Sequence, residues 1–244
     1  MMNYIHFNID AWLALSPSLV SKELWRSWSL ANQEWPEATT PLPVDEIPTI
    51  FRRRMSVLCK LAIQTALSLS KNNDVDFIVF SSRHGELHRT VNILTDILQG
   101  NDASPMAFSQ SVHNTAAGLY TIVKKQAIPA TSLAAGEHSL HSALIEAAAY
   151  LSEYPEHRVL VVDFDEPLPS PYGEFDVVDH QAFALGMVVT SGQQCQLSWQ
   201  SVNTIQTENT VPKLPQTLAV IANLACEETS WQVLGRRKSW FWTR

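Results

Sequence analysis

Residues 104–147 read SPMAFSQSVHNTAAGLYTIVKKQAIPATSLAAGEHSLHSALIEA, and the order of elements in this stretch decides the fold. Ser104 and Pro105 open a helical run that carries Asn114 and closes near Lys125. A short apolar segment, residues 127–133, reads as a strand, and a small-residue turn over 134–138 leads into an Ala-rich helix. A strand that feeds a helix through such a turn aims backbone N–H groups and a positive dipole end at whatever occupies it. That field lowers a thiol pKa, which suits the position to a nucleophilic cysteine. Here the tip holds Gly136, Glu137 and His138, with no Cys, Ser or Thr.

Upstream, the alternation over 3–15 predicts a strand. Residues 16–31 predict a helix capped by Ser16 or Ser18, with Pro17 near its start and Leu24, Trp28 and Ala31 on one face. Four prolines mark 32–48 as a loop. The spacing of Phe51, Met55, Leu58, Ala62, Ala66 and Leu69 predicts one long helix over 48–70. Residues 75–82 read as a buried strand and 85–100 as a helix closed by Gly100. Downstream, 157–166 is a second buried-type strand and 166–175 a proline-rich loop. Two strands over 179–191 and 195–205 are expected to meet at a tight Ser-Gly-Gln-Gln turn. A helix over 214–228 and a basic, aromatic tail over 235–244 complete the chain. Strands alternating with helices predict one α/β domain spanning 1–244, with apolar strands covered on both faces.

Composition narrows the function. A chain of 244 residues, 45% apolar and 17% charged, describes an ordinary globular protein with ample core. A net charge of −7 argues against a general nucleic-acid binder. Cys59, Cys195 and Cys226 show no paired spacing and read as reduced core thiols, which suits a cytoplasmic protein. No secretory signal is expected, since no Lys or Arg precedes residue 22 and Asp10 interrupts the apolar start. No transmembrane run is expected either. Four of the eight Trp, at 12, 25, 28 and 35, crowd the first 36 residues.

In these segments the chain resembles the β-ketoacyl synthases of the thiolase fold. RRRMSVLCKLAIQTA is similar to their early long helix, VDFIVFSSRHGEL to the strand and loop that follow, and SPMAFSQSVHNTAAGLYTI to the helix before the active-site strand. TSLAAGEHSLHSALIEAA stands where the family carries its nucleophile turn, T-x-x-x-A-C-x-S-G before an Ala-rich helix. VLVVDFDEPLP and DHQAFALGMVVT resemble the next core strand and the strand that closes the first half. The resemblance covers about 1–190. It implies an α/β thiolase-like (ketosynthase) fold, N-terminal half only, with a mixed, mostly parallel sheet covered by helices. Residues 191–244 then supply a C-terminal strand, a helix and the basic-aromatic tail.

Two departures shape the functional expectation. The catalytic Cys is missing, and Glu137 or Gly136 holds its position. The chain has about half the family's length, which omits two catalytic histidines and the glycine-rich end of the oxyanion hole. His113, His138 and His141 match neither histidine motif. Claisen condensation needs a thiolate to carry the acyl chain and donors for a developing oxyanion, so no independent condensing activity is expected.

Type II polyketide systems pair a ketosynthase with a Cys-less chain-length factor, and truncated relatives accompany ketosynthases of aryl polyene and flexirubin-type systems. The resemblance therefore implies a non-catalytic partner of a full-length ketosynthase in a heterodimer. Acyl carrier protein would be reached through that partner, with no cofactor, metal or nucleic acid. The segments that border the family's interface and tunnel supply Val112, His113, Asn114, Leu119, Ile128, Pro129, Thr131, Ser132 and Leu133 as candidates. The alternatives are a stand-alone acyl-chain or carrier-protein binding module, and a weak acyltransferase or hydrolase using Ser132, Ser139 or His113. No G-x-S-x-G elbow supports the latter.

Individual residues keep plainer readings beside these. Glu137 either satisfies backbone donors at its own helix start or takes a role that mimics the malonyl carboxylate or props the partner's active site. Asn114 reads as bonding nearby backbone. His138 and His141 at i, i+3, and Glu137 and His141 at i, i+4, each share a helix face as pairs, and with His113 they form either a metal set or ordinary polar surface. Residues 52–54 are a solvated helix face or meet an acidic carrier surface. The tail packs on its own domain, docks a partner or touches an anionic membrane surface.

Overall fold

The computed structural model describes residues 3–37, 40–176, 178–202 and 214–244. Its strands are β1 (Asn3–Leu15), β2 (Phe77–Ser81), β3 (Ala130–Leu133), β4 (Arg158–Asp165), β5 (Phe183–Ser201), β6 (Ser230–Val233) and β7 (Lys238–Thr243). They form one sheet in the order β3-β2-β4-β5-β7-β6, with β1 paired to β5. The sheet is mixed, as expected. Its parallel part is β3-β2-β4, whose members are joined by helical crossovers. The remaining four pairs are antiparallel, so among the described residues the sheet is not mostly parallel, as the resemblance implied, because β1, β5, β6 and β7 add antiparallel neighbours to the short parallel core.

Helices α1 (Lys22–Leu30), α2 (Thr49–Arg52), α3 (Val57–Ser70), α4 (Leu87–Leu98), α5 (Pro105–Ser109), α6 (Thr115–Lys124), α7 (Ser139–Glu153) and α8 (Gln216–Ala225) cover the sheet. Strand alternation divides the core into two layers. Val79, Val159, Val161, Leu185 and Met187 pack with residues of α1, α7 and α8. Ile78, Phe80, Leu160, Val162 and Val188 pack with residues of α3 and α6 on the other face. Each fully buried Val, Leu or Phe contributes about 1.5–3 kcal/mol. Helix α3 approaches the sheet closely at Gly186, where an added Cβ would lie 2.6 Å from Leu69 Cδ1 and 2.7 Å from Thr65 Cγ2.

Several expectations are corrected. The α1 cap is Ser21, whose Oγ accepts the Leu24 N–H at 3.3 Å. Ser16 instead donates to the Ala182 carbonyl at 2.6 Å, and Ser18 sits at φ +70°, so these residues form a turn before the helix. The buried face of α1 holds Trp25 and Trp28, while Leu24 is exposed. The long helix over 48–70 splits into α2 and α3 because extended Ser56 caps α3, its Oγ accepting the Cys59 N–H at 2.9 Å. The helical run from Ser104 likewise splits into α5 and α6, and left-handed Lys125 ends the second.

The two late strands are one. β5 runs from Phe183 to Ser201, and residues 191–194 bulge out of register where β1 steps from Cys195 to Thr190 between Phe7 and Asn8. Both halves of β5 pair antiparallel with the same β1, so the chain does not reverse at Ser-Gly-Gln-Gln. Asn8 fills the bulge, its Oδ1 accepting the Gln194 N–H at 3.0 Å, and Gly192 lies so close to Asn8 that a Cβ there would collide. Residues 203–205 of that expectation, and 38–39 of the proline-rich loop, lie outside the described residues. The tail is not peripheral. Most of it is β7, an interior strand with Trp240 and Trp242 buried, and β6, which the sequence reading missed, pairs beside it. Among the described residues no helix is long and apolar enough to cross a membrane.

Candidate functional site

The parallel strands β2, β3 and β4 end on the same side of the sheet, and their ends bring the chemistry together. β2 delivers Ser81, Ser82 and Arg83. β4 delivers Asp163 and Asp165, two residues apart and therefore on one face. β3 leads to a single 3-10 turn, Gly136–His138, that runs directly into α7. Gly136 adopts φ +59°, a left-handed conformation that favours glycine. A cavity of about 210 Å³ opens at this turn, lined among others by Arg83, Gly136, Glu137, His180, Gln216 and Arg236. A smaller one of about 50 Å³ continues down to Asp163, Asp165 and Thr217.

Glu137 does not bond the start of its own helix. Its Oε1 accepts the backbone N–H of Arg236 at 2.7 Å, from the loop between β6 and β7, and lies 3.3 Å from His138 Nε2. His138 Nδ1 accepts from Trp240 Nε1 at 3.1 Å and lies against the Gln216 side-chain amide, 3.1 Å from Nε2 and 3.3 Å from Oε1. The Trp240 donor places the ring proton on Nε2, which lies beside the Glu137 carboxylate. Burial lowers the His138 pKa against the opposing pull of Glu137, which keeps the ring neutral. Gly235 seals the contact, since a Cβ there would lie 2.7 Å from His138 Cε1.

Below the turn, His141 is fully buried, stacked on Trp240 with ring centroids 4.4 Å apart. Its Nε2 accepts from Trp242 Nε1 at 3.2 Å, and its Nδ1 is buried with no hydrogen-bond partner among the described residues. Burial pushes its pKa down to about 3. Neither ordinary polar surface nor a metal set describes these histidines. They are structural neighbours of the tryptophans of β7, and His113 lies elsewhere. Among the described residues no group of three His, Cys, Asp or Glu is placed to hold a metal ion.

Asp163 is buried and accepts from Ser81 Oγ and Thr217 Oγ1, each at 2.6 Å. Asp165 accepts from Ser82 Oγ at 2.9 Å and from the Arg83 N–H at 3.0 Å. Burial raises both carboxyl pKa values, and the neighbouring Asp163 charge raises Asp165 further. This pair ties β2, β4 and α8 beneath the turn. The sequence reading missed it, along with Arg83, Gln216 and Arg236. Two acidic residues two apart in an apolar strand, Asp163 and Asp165 in VLVVDFD, were the available signal.

The remaining candidates cluster on β3 and around α6. Val112 is exposed. His113 packs against Gly85, and its Nε2 lies 3.0 Å from the Ser82 carbonyl. Asn114 stands at the N-cap of α6 but makes no side-chain capping bond, contrary to the expectation that it bonds nearby backbone. Leu119 and Ile128 pack partly against the α3 side of the core. The Pro129 carbonyl accepts the Ile78 N–H at 3.0 Å, and Thr131, Ser132 and Leu133 lie on β3, the edge of the sheet. Ser132 Oγ is buried without a hydrogen-bond partner among the described residues. Ser139 Oγ donates to the Gly136 carbonyl and accepts the Ala135 N–H, with no side-chain base hydrogen-bonded to it among the described residues. Arg52 Nε donates to the Ile47 carbonyl at 2.6 Å, so residues 52–54 are not a uniformly solvated face.

Comparisons with known proteins agree with this geometry. Residues 25–243 match the family described as β-ketoacyl synthase, N-terminal domain, so the match continues well past residue 190. The structure is similar to one solved as the ketosynthase ApeO in complex with its chain length factor ApeC from Xenorhabdus doucetiae. The TM-score is 0.88 at 32% identity, over 98% of this chain and 100% of that one. The ishigamide ketosynthase/chain length factor shares the fold at TM-score 0.72 and 13% identity, over 98% of each chain. A β-ketoacyl synthase from Burkholderia phymatum shares it at 0.57 and 12%, over 94% of this chain and 71% of that one. No curated protein matches the sequence. The parallel β3-β2-β4 core, the strand-turn-helix at Glu137 and a match over most of the length agree: this chain belongs to the β-ketoacyl synthase N-terminal-domain family, with a thiolase-like ketosynthase fold.

Proposed function

We propose that this chain is the non-catalytic, chain-length-factor-type subunit of a heterodimeric β-ketoacyl synthase, one ketosynthase-like domain that works beside a full-length partner in the cytoplasm. The pair elongates acyl or polyene chains on acyl carrier protein, with the carrier engaging through the partner. The observation that carries this reading is Glu137. It occupies the helix-start turn where the family seats its nucleophile, and the Arg236 N–H holds its carboxylate beside His138. A carboxylate so held is a poor acyl carrier, and the rings of His138 and His141 are engaged by Trp240 and Trp242. Glu137 instead anchors the β6–β7 loop over the vacated position. The similarity to a ketosynthase solved with its chain length factor supports the partner role.

The β3 edge and the neighbouring α5–α6 surface fit the partner-facing role of the candidates from Val112 to Leu133. β3 pairs only with β2 and leaves its other edge unpaired among the described residues. Met106, Phe108, Val112 and Ile122 expose apolar surface nearby in sequence. Co-expression with full-length ketosynthases is the test. A stable heterodimer that condenses only when the partner's cysteine is intact is the expected result. Acyl transfer onto this isolated chain would refute the reading, as would a monodisperse monomer indifferent to every ketosynthase offered.

A further inference from the structure

The α4–α5 layer exposes several large apolar side chains and is not part of either core cluster. Among the described residues α5 buries no side chain at all, and α4 buries only Ile93. Yet Leu94, Ile97 and Leu98 on α4, Met106 and Phe108 on α5, and Val112 beyond it are all exposed. Apolar helices without a core of their own need another fastening to keep one geometry.

That fastening is polar and converges on one residue. Arg89, on the first turn of α4, donates from Nε to Glu86 at 3.0 Å, from Nη1 to Gln110 Oε1 at 2.8 Å and from Nη2 to the Arg54 carbonyl at 2.8 Å. Glu86 is buried, with its second oxygen accepting from Ser56 Oγ at 2.7 Å. Ser56 in turn caps α3. One guanidinium therefore joins the α2–α3 connection, the start of α4 and the α5–α6 connection. Only a planar fork with several separate donors reaches three such acceptors, a task a lysine cannot repeat.

We propose that Arg89, seated on the buried Glu86 carboxylate, is a positioning residue that fixes the α4–α5 layer so that its apolar face is presented to the partner synthase in one geometry. This rests on the subunit reading above. The residue acts through Gln110 and the Arg54 carbonyl, and its loss frees the layer while leaving β4 and β5 intact.

The test compares wild type with Arg89→Met by amide hydrogen exchange on the isolated chain and by affinity for the full-length ketosynthase that co-purifies with the wild type. Loss of a charge-assisted bond is worth a factor of about ten or more. The expected result is exchange at 105–114 about tenfold faster, β4 and β5 unchanged, and affinity about tenfold weaker, with Arg89→Lys failing to restore either. If Arg89→Met loosens β4 and β5 as well, Gln110→Ala, which keeps the Glu86–Arg89 pair, decides by the same two readouts. Unchanged exchange at 105–114 overturns the proposal, and so does faster exchange with wild-type affinity. If the wild type binds no synthase, the subunit reading falls and carries this role with it. Equal binding by wild type and variant overturns the positioning role alone.

Discussion

Replacing Asp163 with Asn should make the protein more stable at neutral pH, by an amount that grows as pH rises. Asp163 accepts two hydroxyl bonds at 2.6 Å but is buried beside a second carboxyl, and burial raises its pKa. An unfolded aspartate releases its proton near 3.8. The folded chain keeps that proton to higher pH. Between those points the native state holds more protons than the unfolded one, so stability falls as pH rises, by about 1.4 kcal/mol per pH unit for each proton retained. The loss stops once the folded carboxyl ionises. The amide of the Asp163→Asn variant has no proton to lose. It still meets both partners, accepting from one hydroxyl and donating to the other, which rotates to accept. Removing the buried charge is worth about 1–3 kcal/mol at neutral pH, or a rise in Tm of about 2–4 °C per kcal/mol at this size. Urea denaturation from pH 4 to 8 at constant ionic strength, wild type against Asp163→Asn, measures the difference directly. A difference independent of pH, or one that moves toward the wild type as pH rises, would refute the assignment and show a carboxylate that is charged and well solvated.

His141 carries the opposite sign. The unfolded imidazole takes a proton near 6.5, whereas burial holds the folded one to about 3, so its contribution is present above 6.5 and lost as pH falls toward 3. His141→Phe should flatten that acid limb while costing about 1 kcal/mol for the orphaned Trp242 N–H, as denaturation at pH 5 and 8 will show. Gly186→Ala should destabilise by about 1–3 kcal/mol through collision with Leu69 and Thr65, and Leu69→Ala in the same chain should recover part of it. Glu137→Ala should speed exchange at the Arg236 amide and lower stability by about 1 kcal/mol, since the lost bond is charge-assisted but partly exposed.

Much of the architecture is local and could be read from residues alone. The alternation of 3–15 gives β1, the apolar runs FIVF and VLVV give β2 and β4, and Gly100 at φ +82° closes α4 as a glycine there should. The strand-turn-helix that seats Glu137 is likewise written in 127–148, because small residues and periodicity act over a few neighbours. Helix breaks were less legible. Ser56 and the connection between α5 and α6 interrupt apolar spacing that by itself looks continuous, and Ser56 breaks it partly because Glu86, thirty residues on, offers its hydroxyl an acceptor.

What Glu137 faces was decided only by tertiary structure. The sequence determined that no cysteine stands at the head of α7 and that a glutamate does. It did not determine what that glutamate faces. The donor is Arg236, 99 residues away, brought there because β7 enters the sheet beside β5 and stacks Trp240 on His141. The same is true of Asp163, whose partners Ser81 and Thr217 come from β2 and α8. Periodicity reports which face of an element is buried. It carries no record of which distant polar group waits there, since that pairing depends on strand order and crossover, and these are set by the whole core at once.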